Sequence, residues 1–323
     1  MARGHLGLPR ATSLTVSKSY LLSQLLAIDA LPESRDRVLL MENHFRRKID
    51  LHVASLPGGD AVFKKFNTNP YVLLIHARQR NYTKISEIEK DILPAKQFSS
   101  METSAGRMVE EVVLPAYGWT CVASEMHTRN SALDGKKAEA NVLRLATLKS
   151  GPRCLNDEMS ENFADAILNH FGGWATDAGV NEIDFTYGVL YGTQKLSNKK
   201  DWHILRNIKE KSPGNILIDP CKRWDCAFHD QNIKVSVTVR IGLDWWRHLG
   251  GEYCFIEVFA ALIRACINPG VPEQSPYHYS ISDLTQIISI PAAMEDFNVG
   301  LLQRSQIPWL FLMAQHFCDK LTE

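Results

Sequence analysis

An α/β fold, a mixed central β-sheet flanked by helices and preceded by a helical N-terminal region, is predicted by three features of the sequence. Apolar residues recur at helical spacing in the N-terminal part. From Ser99 onward the order becomes helix, strand, strand, helix, strand, and helical patterning returns at the C-terminal end. Hydrophobic residues make up 45% of the 323, enough for a buried core in one elaborated domain or two.

Leu21, Leu22, Leu25 and Leu26 mark a first helix within residues 14–55, and a second follows Pro32 through Phe45 to Leu51. Asn67 to Pro70 reads as a turn, and Pro94 is expected to end a short charged helix over Ile85 to Ile92. Residues 1–95 are therefore read as the helical region and 96–323 as the α/β core with its C-terminal helices. Within the core, Met108, Val109, Val112 and Val113 predict a helix from Glu102 to Leu114, closed by Pro115. Trp119 to Met126 is β-like, Asp134-Gly135 lies in a polar turn, and an extended apolar run covers Asn141 to Lys149. A helix is predicted over Asp157 to Phe171. β-formers dominate Ile183 to Tyr191, Ile216 to Ile218 and Ile233 to Ile241. Helices over Glu252 to Cys266 and Ile307 to Leu321 complete the chain.

With 36 basic and 36 acidic side chains the net charge is zero, so composition alone does not point to nucleic acid. Any positive face must be gathered locally and balanced elsewhere. Seven cysteines spread along the chain do not form a secreted disulfide framework, and reduced thiols in a cytosol are expected. Met1 to Lys18 holds no apolar stretch of signal-peptide length, and no run of about eighteen apolar residues occurs. The expectation is a soluble cytoplasmic protein with no membrane partner and no organic cofactor.

The chemistry is concentrated between Ser131 and Gly151. Thr147 and Lys149 share one face of a strand, and Asp134 reaches the far end of that strand if the turn folds back. A lysine ending the apolar run Leu143, Leu145, Ala146, Leu148 needs a carboxylate, a metal-bound water or a phosphate beside it. Phosphodiester cleavage uses that combination, with hard cations on carboxylate oxygens and a nearby ammonium.

This arrangement resembles the PD-(D/E)XK nuclease superfamily, with Asp134 as first acid and Lys149 as the lysine. Thr147 stands where the second acid belongs, so another carboxylate must substitute. The candidates are Glu161 on the following helix and Glu111, next to Glu110, on the preceding one. The flanks, Asn69-Pro70, Gly106 to Pro115, Leu148 to Gly151, Val189 to Thr193 and Trp202 to Arg206, look like one group of type II restriction endonucleases. The resemblance covers residues 67–267 in patches. It implies a restriction-endonuclease-like core, Mg²⁺ held by Asp134 and Glu111, and a homodimer that cuts double-stranded DNA at interrupted palindromes centred on GG-N-CC. The helical N-terminal region would then embrace DNA or dimerise.

Between Gly192 and Lys211 the sequence carries Lys195, Lys199, Lys200, Arg206, Lys209 and Lys211 against Asp201 and Glu210, with Asn198 interleaved. Lysines hold phosphates, and Asn and Arg read base edges, so this is the expected DNA-facing segment, with Arg153 at the scissile phosphate. A repair or structure-specific nuclease and a non-catalytic DNA-binding protein stay open as alternatives. Cys221, Cys226 and His229 lack a matching second pair for zinc. Trp245-Trp246 and the stripe Trp309 to Leu312 read as core or subunit contact.

Overall fold

The computed structural model describes residues 17–56, 70–122, 130–197, 200–213, 217–218, 224–230, 232–267 and 300–317. Among them the protein is an α/β structure built on a seven-stranded mixed sheet. Strands β1 (Thr120–Cys121), β2 (Gly135–Glu139) and β3 (Val142–Lys149) form an antiparallel meander. β4 (Glu182–Val189) lies parallel to β3. β5 (Leu217–Ile218), β6 (Asp225–Asp230) and β7 (Ile233–Ile241) form a second antiparallel run, and β7 pairs parallel with β4. The spatial order is β1-β2-β3-β4-β7-β6-β5. The three central parallel strands end level, with Lys149 opposite Val189 and Val189 opposite Ile241.

Helices α1 (Lys18–Ala30) and α2 (Pro32–Ser55) precede the sheet, and Ser17 caps the first by accepting the Tyr20 N–H at 3.2 Å. α3 (Pro70–Arg80) and α4 (Ile85–Met108) form a helical hairpin. α4 continues through a π-helical turn, Val109–Val113, and a last turn, Leu114–Ala116. α5 (Asp157–Ala178) connects β3 to β4, and α6 (Lys200–Lys211) follows β4. α7 (Leu243–Gly250), α8 (Cys254–Cys266) and α9 (Ile307–Phe317) complete the described chain. Among the described residues no helix is long and apolar enough to cross a membrane.

Two cores sandwich the sheet. On one face Leu143, Leu145, Phe185, Val235 and Val237 meet Ile167, Phe171 and Trp174 of α5 and Ile204 and Ile208 of α6. On the other, Ala146 and Leu148 join Val112, Val113 and Trp245 and a helical layer from α1, α2, α8 and α9. The alternation of side chains along β3 produces this division, since successive residues point to opposite faces. α2 and α8 are tied by Arg37, whose guanidinium bonds both Glu257 oxygens at 2.7 and 2.9 Å, and by Arg264 to Glu42 at 2.6 Å.

Four local expectations are corrected. Pro94 lies inside α4, which therefore passes residue 95 unbroken. A proline removes one backbone donor, and here the flanks are anchored by buried Ile92 and by Asp91, which bonds His76 and Tyr82. Asp134-Gly135 is not the hairpin turn. Gly135 opens β2, and the turn is at Ala140-Asn141, with Ala140 in the left-handed region at φ 50°. α5 runs past Phe171 and Gly172-Gly173, because Trp174 and Ala175 are buried in the core and Gly179, at φ 66°, supplies the left-handed terminus. Finally, β6 is a strand that β-propensity along the sequence does not mark. Ile216 and residues 123–126 lie outside the described residues.

Glu257 is buried, so its bond to Arg37 offsets a desolvated charge. Arg37→Ala should cost about 3 kcal/mol, read as a lower urea midpoint, because it strands a carboxylate in the core. Replacing both Arg37 and Glu257 with Met should cost less than that single change. A single-variant loss no larger than that of an ordinary surface substitution would show the pair to be dispensable.

Candidate active site

The level ends of β3, β4 and β7 put Lys149 where loops from parallel strands gather. Asp134 is carried to the same place by backbone pairing. Its N–H donates to Ala146 O at 2.9 Å, its carbonyl accepts from Val122 N at 3.0 Å, and its Oδ2 accepts from Leu148 N at 2.6 Å. These three bonds extend the meander by one residue beyond β2 and fix the carboxylate one position from Lys149.

The third group comes from the π-helical turn. Gly106 abuts Ser150, since a Cβ there would stand 3.3 Å from the Ser150 Oγ. Leu114 fills the space of a Gly135 side chain, whose Cβ would lie 2.7 Å from Leu114 Cδ1. Glu110 lies midway between these two contacts, four residues from each, on the stripe of the helix that faces Asp134 and Lys149. Its carbonyl also accepts the Cys121 thiol at 2.7 Å. Burial, then repulsion from Asp134, pushes the Glu110 carboxyl up to about 7, with Lys149 and Arg107 pulling it down. Burial likewise raises Asp134, opposed by the Leu148 N–H and the Lys149 charge. Among the described residues the Glu110 carboxylate makes no hydrogen bond or ion pair.

The Lys149 ammonium sits over the Phe163 ring at 5.7 Å, on the α5 face of the sheet. Phe163 in turn meets Tyr187 of β4 edge-on, with ring centroids 5.8 Å apart. The aromatic face orients the ammonium beside the two carboxylates.

The structure separates the other candidates from this cluster. Glu111 is exposed and pairs with Lys48 of α2. The helix turns it away from Glu110, because adjacent helical residues do not share a face. Glu161 pairs with Lys211 at 3.5 Å on the outer surface of α5 and α6. Thr147 is buried and donates its hydroxyl to Ala132 O, so it offers no ligand. Sequence reasoning thus singled out Glu111, whereas the structure sets its neighbour Glu110 beside Asp134 and Lys149. The i, i+4, i+8 stripe Gly106, Glu110, Leu114 is the signal that distinguishes them.

No group of three or more His, Cys, Asp or Glu side chains suited to a metal occurs among the described residues. The two carboxylates nevertheless suit a magnesium ion. Such an ion takes one or two protein carboxylates and completes its shell with water and substrate phosphate. The donor set is oxygen only and partly buried.

Beyond Lys149 the loops after β3 and β4 interlock. Gly151 leaves room for Tyr191, Gly192 at φ +95° packs on Pro152, and Arg153 Nε donates to Leu196 O at 3.2 Å. Ser197 bonds Asp201 Oδ2 at 2.6 Å, and Asp201 is wholly buried at the start of α6. Of the expected DNA-facing residues, Arg153 and Lys195 are exposed on this rim. Lys200 is paired with Asp157, and Arg206 is 3.5 Å from Glu210. Asn198 and Lys199 lie outside the described residues, as does Cys221. Trp245 and Trp246 are core, as expected, with Trp246 Nε1 donating to Leu190 O at 2.9 Å. Leu310 and Phe311 are core as well.

The class of protein so defined is an α/β fold with two carboxylates and a lysine at the ends of its parallel strands. No family model matches the chain, and no curated protein matches it.

The Glu110 environment sets a pH signature. The folded form holds this proton up to about 7, whereas an ordinary Glu releases it near 4.5. Its contribution to stability is therefore complete below the ordinary value and lost as pH rises through about 7. In chelator, Glu110→Gln should gain thermal stability relative to wild type between pH 5 and 8, then level off. Melting curves that stay parallel across that range would show an ordinary carboxylate.

Proposed function

We propose that the protein is a magnesium-dependent endonuclease that hydrolyses phosphodiester bonds of double-stranded DNA. The observation that carries this reading is the convergence of Glu110 and Asp134 beside Lys149 at the ends of the parallel strands. Glu110 takes the role expected of Glu111, with Asp134 as the second ligand. When bound, the cation supplies Lewis-acid activation and offsets the phosphate charge.

The remaining work falls to side chains of the chain itself. Asp134, locked by the Leu148 N–H, presents its carboxylate in one orientation. Lys149 orients the attacking water and offsets charge on the pentacoordinate phosphorus. Arg153 and Lys195, on the rim, hold the flanking phosphates. Water adds its oxygen to phosphorus as the P–O3′ bond breaks, and the departing 3′ oxygen takes up a proton. The products are a 5′-phosphate and a 3′-hydroxyl. The patchwise resemblance of residues 67–267 to type II restriction endonucleases supports cleavage at a GG-N-CC-centred palindrome by a homodimer, whose two-fold axis matches that of the site. Thr147, at the position of the usual second acid, favours the non-catalytic DNA-binding alternative, and cleavage separates the two.

Mixed-sequence plasmid incubated with Mg²⁺ should yield discrete fragments, and none in chelator. Lys149→Ala and Glu110→Gln should each lower the rate by at least about 100-fold, the scale of a lost proton-transfer or charge-stabilising group. Glu111→Gln should stay within a few-fold of wild type. Intact plasmid in every lane, with DNA binding retained, would move the assignment to a binding protein. Loss in Glu111→Gln with activity kept in Glu110→Gln would reverse the ligand assignment.

A further inference from the structure

The start of α6 carries a buried acid that the proposed chemistry does not use. Asp201, in the first turn of that helix, is wholly buried, and no Lys or Arg pairs with it among the described residues. Its Oδ2 accepts the Ser197 hydroxyl at 2.6 Å, while its Oδ1 makes no hydrogen bond among the described residues. The buried Tyr187 hydroxyl lies beside the same carboxyl group. An acid in the first turn of a helix is favoured by the dipole, but that effect needs no burial. Burying a carboxyl group with no cation beside it is unfavourable, so packing alone does not account for this residue.

What Asp201 holds is the rim loop. Gln194, Lys195 and Leu196 are exposed, so burial does not fix their place. The loop turns where Leu196 N–H donates to Thr193 O at 2.9 Å, and Leu196 O accepts from Arg153 Nε at 3.2 Å. The other end of the clamp is anchored. Ser160 Oγ of α5 donates to Lys200 O at 2.8 Å, and the Lys200 ammonium pairs with Asp157, so the start of α6 is tied to the start of α5. A continuous path of covalent and hydrogen bonds therefore runs from the two helices through Asp201 and Ser197 to the loop and on to Arg153. Only Nε of Arg153 is used along it, which leaves both Nη groups for a phosphate.

We propose that Asp201 is a positioning residue for phosphate binding. By holding Ser197 it fixes the 193–197 loop in the place where Lys195 faces outward and Leu196 O orients Arg153. The assignment rests on the DNA-cleaving reading above and deepens it. The two rim contacts form one unit with a single buried anchor, not two independent surface charges.

Fluorescence anisotropy of a labelled mixed-sequence DNA duplex, titrated with the full chain in chelator between about 50 and 200 mM salt, tests it. Wild type should bind with a steep salt dependence. Ser197→Ala should weaken binding at least about tenfold and lower the salt slope by about one to two, since each phosphate contact contributes roughly 0.9. Asp201→Ala should do the same. Asp201→Asn keeps an oxygen for the Ser197 hydroxyl and should stay within about threefold of wild type. Lys195→Ala should weaken binding less in the Ser197→Ala background than in wild type, because clamp and contact act together, whereas a merely structural clamp leaves the two losses additive. If Asp201→Ala loses its circular dichroism spectrum, Ser197→Ala decides. Wild-type affinity in Ser197→Ala, additive losses with Lys195→Ala, or a folded Asp201→Asn as weak as Ser197→Ala overturns the proposal and leaves the nuclease reading standing. Absence of binding by wild type at every salt concentration overturns that reading and this assignment with it.

Discussion

The hydrogen bond from Leu148 N–H to the Asp134 carboxylate, 2.6 Å long, fixes the alignment on which the candidate site depends. It extends the β2–β3 register by one residue, beside the Asp134 N–H to Ala146 bond. Slipping that register by one position would send Asp134 to the other face of the sheet and leave Lys149 alone. Gly135 completes the constraint. Its role is steric, because Leu114 occupies the place of its side chain, and a Cβ there would lift the end of the π-helical turn. With it would go Glu110. A single dipeptide, Asp134-Gly135, thus positions both carboxylates, one by hydrogen bonding and the other by leaving room.

The π-helical turn has a consequence of its own. Val112 and Val113 are buried in the helical core, so the turn is anchored from behind while Glu110 faces forward. Such turns widen the helix locally and are frequent at functional sites. Here two carboxylates are brought together in a partly dry setting, which raises the proton affinity of Glu110. Lys149 offsets part of that charge.

Charge elsewhere is distributed in the same local manner. A chain of zero net charge still presents Lys149, Arg153 and Lys195 at one end of the sheet. Within α6 three of the four basic side chains are paired, Lys200 with Asp157, Arg206 with Glu210, and Lys211 with Asp165 at 3.0 Å, and Lys209 is exposed. The basic run from Lys195 to Lys211 therefore divides into a loop that faces outward and a helix that pairs with α5. Its linear charge density overstates the surface it offers to a polyanion.

The sequence by itself determined the α/β class, the extent of β7, and the nearness of Asp134 to Lys149, because periodicity, β-branched runs and a lysine at the end of an apolar strand are local signals. It did not reveal β2, whose Lys136, Lys137 and Glu139 lie near a sheet edge and lack an apolar face. Pro94 and Gly172-Gly173 read locally as helix ends, yet tertiary anchoring at Asp91 and Trp174 outweighs the preference of those residues. The choice between Glu110 and Glu111 belonged to the tertiary structure alone. Adjacent carboxylates are equivalent in composition, and only the packing of Gly106 on Ser150 and of Leu114 over Gly135 decides which one faces the strand ends.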